Sequence, residues 1–229
     1  MQQIFFCHIS KTAGTALAQA LEQSFSAEMV QPTRKAIAQN GGKYPGADTF
    51  LDQLAGARLV RGHYHLSFRD WLMDATEIVV MRDPIERAQS HLKHIMRQDP
   101  QKGAALLTKL EAGKQVVPDN VMTRMIGGHL KDSTAPDLLS AQREMMFGPV
   151  KDKAALLRSA KEALPSVKIL GFTEALSDLS AKLKDIGISF DSEVYTNKTS
   201  KVTLSAAQIE TLTADNELDQ ELYDFARSL

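Results

Sequence analysis

Four apolar residues at positions 4–7, Ile-Phe-Phe-Cys, run straight into His8-Ile-Ser-Lys-Thr-Ala-Gly-Thr15 and then into a segment with Leu17, Leu21 and Phe25 four residues apart. A short unbroken apolar run is a strand buried on both faces, and the fourfold spacing is one face of a helix. A strand that turns tightly into a helix aims backbone N–H groups and the positive end of a helix dipole at one point. Further strand-length runs lie at 59–64 (interrupted by Arg61 and Gly62), 78–81 and 167–170, with helical spacing between them. Ile85, Ala88, Leu92, Ile95 and Met96, for example, share a helix face. This alternation predicts an α/β fold: a central, mainly parallel sheet in a three-layer α/β/α arrangement.

The 229 residues suit a single domain, 1–229, with no repeat or linker to divide them. A net charge of −1 gives no general attraction to nucleic acid or membrane, so any anion site must be a local cluster of cations. Cys7 is the only cysteine, which excludes an intrachain disulfide and suits a reducing compartment. The apolar stretch at the N-terminus is too short for a signal peptide or a bilayer span, so a soluble, cytoplasmic protein is expected. Residues 32–46 read as a surface excursion and 102–119 as a short helix ending at Pro118. From 151 onward the chain reads as mostly helical, with a loop at 195–201.

The first junction has anion-binding chemistry. Lys11 supplies a full charge, Thr12 and Thr15 hydroxyls, Ser10 and Ala13 backbone donors, and Gly14 close approach of the backbone. A Walker loop needs glycines before its lysine, and here the only loop glycine follows Lys11. An ordinary capped turn with an exposed lysine fits the same residues.

A second junction spans residues 77–90. Asp83 reads as an N-cap, Pro84 as the first helical residue and Glu86 as a capping-box acid. Capping leaves Arg82 and Ser90 unexplained, and the carboxyl end of a parallel strand is where ligands bind in open α/β sheets. Arg61-Gly-His-Tyr-His65 follows another strand, and histidine has the intrinsic pKa of a base near neutrality. Two packing or surface histidines are the plain alternative. The six histidines and one cysteine form no recognisable zinc framework, and His91 with His94 reads as a helix surface, so no metal is expected.

Residues 8–15 resemble the 5′-phosphosulfate loop of the carbohydrate sulfotransferases related to the heparan sulfate 2-O-sulfotransferases, His-x-Pro-Lys-Thr-Ala-Gly-Thr/Ser. Ser10 stands where that pattern has proline. Residues 82–90 are similar to the same family's 3′-phosphate segment, Arg-Asp-Pro-x-x-Arg-x-x-Ser. The resemblance implies a nucleoside-kinase-like, P-loop-related sulfotransferase fold. It also implies transfer of a sulfuryl group from 3′-phosphoadenosine 5′-phosphosulfate to a hydroxyl of a carbohydrate or other alcohol.

By that resemblance Lys11 contacts the bridging oxygen of the donor, residues 10–15 cradle the phosphosulfate, and Arg82 and Ser90 hold the 3′-phosphate, with Arg87 a third arginine that either joins them or pairs with solvent or a neighbouring acid. The family's Gly-His pair makes His63 the base, with His65 second and Glu28 a rival from another branch. His65 and Arg124 would face the acceptor, although a solvated helix face explains residues 120–124 as well. Lys198 or Lys201 would touch phosphate from a loop over the nucleotide. Residues 171–174 resemble a family strand-to-helix turn in which Glu174 is structural, and 219–225 look familial while reading as helix packing. Residues 32–50 and 131–149 carry no resemblance and are acceptor-facing or particular to this chain.

The acceptor stays open between a saccharide, a lipid-linked glycan and a small alcohol, and the near-neutral charge speaks against a highly sulfated polyanion. A kinase-like phosphotransferase is one rival, but it calls for a Walker lysine and an acidic magnesium ligand, neither of which stands out. A nucleotide-binding protein of the same fold without turnover is the other.

Overall fold

Ile4 and Phe6 pack to one side of a central strand, β1 (Ile4–Cys7), and Phe5 and Cys7 to the other, all of them buried. A strand that is apolar on both faces needs cover on both. The computed structural model describes residues 2–133, 135–193 and 203–229. Within them β1 is the middle of a five-stranded sheet of order β2-β3-β1-β4-β5, with β2 (Val30–Gln31), β3 (Leu59–Gly62), β4 (Thr76–Met81) and β5 (Ile169–Phe172). Every pairing is parallel, so the expected α/β architecture is the one found.

The helices in chain order are α1 (Gly14–Gln23), α2 (Arg34–Gln39), α3 (Pro84–Gln98), α4 (Pro100–Glu111), α5 (Val121–Gly127), α6 (Leu138–Phe147), α7 (Lys153–Ala163), α8 (Leu176–Asp185), α9 (Ala206–Asp215) and α10 (Glu217–Arg227). Leu17 and Leu21 of α1 and Leu179 and Leu183 of α8 cover the Ile4 and Phe6 face. Met122 and Met125 of α5, Leu157 of α7 and Leu222 of α10 cover the Phe5 and Cys7 face. Ala88 and Leu92 of α3, Leu110 of α4 and Leu212 of α9 form a third cluster.

Cys7 pairs with Gly62 on one side and Val79 on the other, so β3, β1 and β4 reach the same edge of the sheet together. The chain runs from β1 out to β2, back through β3, and then past β1 to β4. Connections therefore leave on opposite sides next to β1, the switch point where open α/β sheets bind ligands.

Local differences from the sequence reading have physical causes. The run at 59–64 ends as a strand at Gly62, where a Cβ would come within 2.4 Å of the Tyr64 ring. The late strand lies at Ile169–Phe172 because residues 164–166 first complete a 3-10 turn. The excursion at 32–46 contains α2, whose N-cap Thr33 accepts from the Ala36 amide at 3.1 Å. Asp83 caps α3 by accepting from the Glu86 amide at 2.9 Å. The Glu86 carboxylate, read as a capping-box acid, pairs instead with Arg82 at 3.2 Å.

Candidate functional site

The turn between β1 and α1 is held in an uncommon shape. Lys11 and Ala13 have φ of 70° and 59°, left-handed values that cost non-glycine residues energy and that concentrate at functional turns. The Thr12 hydroxyl donates to the Ile9 carbonyl at 2.9 Å, so it closes the turn from inside and is buried. No side chain caps α1, which leaves its first-turn N–H groups to whatever lies above the turn. Gly14 is needed for packing: a Cβ there would come 2.0 Å from Cδ2 of His8. Thr15 is exposed, and Ser10 is half-buried.

Cations converge over this turn. Arg82, at the end of β4, donates from Nη1 to the Lys11 carbonyl at 3.4 Å. The Lys11 ammonium is held below the ordinary lysine range by burial first, then by Arg97 and Arg82. Glu86, 3.2 Å from the Arg82 guanidinium, offsets part of this positive charge. Glu86, Ser90, His94 and Arg97 follow one another by four, four and three residues, which makes a single stripe along α3. Lys11 in turn depresses His91 and His94, after their own burial, so this stripe borders the β1 turn. Arg97, exposed at the far end of α3, was not a sequence candidate. Only its spacing from Ser90 hinted at it, and the position of Lys11 relative to α3 is a tertiary fact.

His63 follows β3 directly. Its Nδ1 lies 2.6 Å from the His8 carbonyl oxygen, which can only accept, so Nδ1 carries the proton. The other nitrogen, Nε2, then holds the lone pair, and it has no hydrogen-bond partner among the described residues. The ring lies 4.4 Å from the His8 ring and meets the Tyr44 ring edge-on at 5.2 Å. The residue is nonetheless exposed. Surrounding protein, offset by the His8 carbonyl and reinforced by Lys11, lowers its pKa, which keeps the imidazole neutral at neutral pH.

Other sequence candidates lie elsewhere. His65 is 1% exposed, with neither ring nitrogen hydrogen-bonded, and burial ahead of Arg124 lowers it to about 4. It is packed inside the protein. Arg124 spends five donor contacts on protein: Nε to the Asp119 carbonyl, Nη1 to the carbonyls of Met145 and Gly148, and Nη2 to both Asp119 carboxylate oxygens. Its helix, α5, is buried over all seven residues, so the polar stripe read as facing solvent or acceptor faces protein.

Arg87 is likewise fully buried, donating to Asn216 at 3.0 Å beside Asp219. Asp219 itself accepts from the Met122 and Thr123 amides, and so caps α5. Glu174 accepts from the Asp83 amide at 3.1 Å, which ties the end of β5 to the start of α3. Glu28 is exposed and precedes β2, at the amino edge of the sheet and away from the cations. Ser90 is half-buried on the α3 stripe. Lys198 and Lys201 lie outside the described residues. Among the described residues no group of His, Cys, Asp or Glu could hold a metal ion, and no helix is long and apolar enough to cross a membrane.

No protein-family model matches the chain, and no curated protein matches it. Among solved structures, a crystal structure described as a sulfotransferase from Alicyclobacillus acidocaldarius aligns with a TM-score of 0.50 at 15% identity, covering 100% of this chain and 95% of that one. At that identity the likeness establishes a shared α/β fold.

Proposed function

We propose that this chain is a sulfotransferase that moves the sulfuryl group of 3′-phosphoadenosine 5′-phosphosulfate onto a hydroxyl acceptor. One observation carries the reading: Arg82 reaches the Lys11 carbonyl at 3.4 Å, so two strand-end cations border one space. A nucleotide with anionic groups at both ends suits that pairing. Lys11 and the uncapped N–H groups of α1 would hold the 5′-phosphosulfate, and Arg82 with Ser90 the 3′-phosphate. Arg97 adds a third positive charge beside Lys11. The solved protein that shares this fold bears the name sulfotransferase, which supports the same chemistry here.

In the proposed step the acceptor oxygen bonds to sulfur as the bond from sulfur to the bridging oxygen breaks. That oxygen keeps the electron pair, and adenosine 3′,5′-bisphosphate leaves. Lys11 offsets the charge growing on the leaving phosphate. His63 takes the acceptor's hydroxyl proton on Nε2, the nitrogen left open by the bond from Nδ1 to His8. The scheme assigns no step to a metal. The acceptor is a hydroxyl compound that reaches His63.

Calorimetry tests the donor site. Adenosine 3′,5′-bisphosphate is expected to bind more tightly than ATP. Arg82→Ala should weaken the bisphosphate by roughly 10- to 100-fold, the worth of a charge-assisted hydrogen bond. His63→Ala should keep that affinity and slow transfer by about 10²- to 10⁴-fold. Equal affinity for ATP, or unchanged affinity in Arg82→Ala, would overturn the assignment.

A further inference from the structure

The excursion at 32–46 is anchored at both ends, and its anchors deliver one side chain to His63. Arg61, fully buried in β3, donates from Nη1 to the Pro32 carbonyl at 2.8 Å, where the excursion begins. Its Nε is paired with Glu22, which also holds Arg34 at the start of α2. At the other end the Tyr64 hydroxyl donates to the Pro45 carbonyl at 2.9 Å, and Asn40 donates to the Tyr44 carbonyl at 3.3 Å. Between these ties the Tyr44 ring lies 5.4 Å from the Arg61 guanidinium, edge-on to His63 at 5.2 Å and edge-on to His8 at 6.1 Å.

We propose that Tyr44 is a positioning residue for His63, bearing on the imidazole from a second direction beside His8 and fixing the direction in which Nε2 points. The His63 ring has one hydrogen bond, from Nδ1 to the His8 carbonyl, and a single bond leaves the ring plane able to rotate about it. The His8 ring bears on the imidazole at 40° and the Tyr44 edge at 90°, so two contacts at different angles remove that rotation. Edge-to-face aromatic pairs at such separations have a preferred geometry as well as buried area. A stretch that reads as a loop in the sequence thus completes the surroundings of the base. The proposal rests on His63 being that base.

The groups that face His63 are His8 and Lys11 from the β1 turn, Tyr44 from the excursion, and Arg61 and Glu22 behind Tyr44. Of these, Tyr44 shields the ring from water without bringing a charge near neutrality. Removing its ring lets water in, which favours the charged imidazolium and raises the His63 pKa toward its ordinary 6.5.

The experiment follows the histidine resonances of the free protein by NMR, with His63 identified by its loss in His63→Ala. Tyr44→Leu should move the His63 titration upward by about half a pH unit or more, and Tyr44→Phe should leave it in place. In transfer assays the acidic limb of the rate profile should move the same way. The rate should fall roughly tenfold or more while adenosine 3′,5′-bisphosphate affinity holds, since a misdirected base costs orientation and not binding. An unchanged titration in folded Tyr44→Leu overturns the proposal. If that variant does not fold, Asn40→Ala decides, because it cuts the exposed ties to the Lys43 and Tyr44 carbonyls and leaves the Tyr44 ring in the chain, and an unmoved titration there overturns it too. A shifted titration without transfer to any hydroxyl would sink the sulfotransferase reading alone.

Discussion

Five arginines show what separates a structural guanidinium from one left to a ligand. Arg61, Arg87 and Arg124 are buried, and each is engaged by carbonyls and carboxylates of the protein. Arg82 stays partly exposed, with a long contact to the Lys11 carbonyl and a partly exposed partner in Glu86, and Arg97 is exposed beside Lys11. Residue type and sequence spacing do not make this distinction, because Arg61, Arg82, Arg87 and Arg124 all sit among motif-like neighbours. Arg124 gives the sharpest test. If it served an acceptor, its removal would raise the acceptor KM and leave the fold alone. Its five protein contacts predict the reverse. Arg124→Ala strands Asp119 and the carbonyls of Met145 and Gly148, so it should cost about 3 kcal/mol in denaturant unfolding. Adenosine 3′,5′-bisphosphate affinity, measured well below the unfolding transition, should stay as in the wild type. A variant with unaltered stability and a raised acceptor KM would return Arg124 to the acceptor site.

At the level of elements, what the sequence made legible was local. The runs at 4–7 and 78–81 are strands because four apolar residues in a row need burial on both faces, and β1 and β4 obtain it. Asp83 and Pro84 announce α3 because a cap and a first-turn proline are written in adjacent residues. Elements fixed from a distance were illegible. Two residues of β2 carry no period, and they become a strand only by pairing with Leu59 and Val60. The polar positions of α5 read as a wet face, yet Asp219, nearly a hundred residues later, caps that helix from inside. The β1–α1 junction joins both kinds of information. Helix propensity alone says that Gly14→Ala should stabilise α1 by up to about 1 kcal/mol. The tertiary contact says otherwise, because the new Cβ would land 2.0 Å from a His8 ring that is itself stacked on Phe6 and set against His63. Overpacking of this kind costs about 1–3 kcal/mol, so Gly14→Ala should melt earlier than the wild type. It should also disturb the His63 titration through the His8 carbonyl. A higher melting temperature would mean that His8 yields easily and that the turn is not held as described.

For the molecule as a whole, buried histidines set how stability depends on pH. His65 is lowered to about 4, as is the half-buried His91, and burial holds His8 well below 6.5. The unfolded chain takes up protons at these positions near pH 6.5 while the native protein refuses them. Unfolding therefore binds protons in this range, and stability falls as pH drops from about 6.5 toward 4. For His65 alone the gap of roughly 2.5 pH units corresponds to about 3 kcal/mol when complete. Asp219 opposes this trend: burial raises its pKa, so the native state binds that proton more readily than the unfolded chain does. That uptake runs from the raised native value down to the ordinary 3.8, so it offsets part of the histidine loss, one group against three. The net expectation is a melting temperature that declines steadily from pH 7 to pH 5. His65→Leu isolates one of these contributors, because it replaces a ring with two unpartnered nitrogens by an apolar side chain at a buried position. That variant should match or exceed the wild type at pH 7 and lose less on acidification. If both proteins lose stability in parallel between pH 7 and pH 5, proton uptake at His65 is not what destabilises the fold, and the acid sensitivity belongs to His8 and His91 beside the cation cluster.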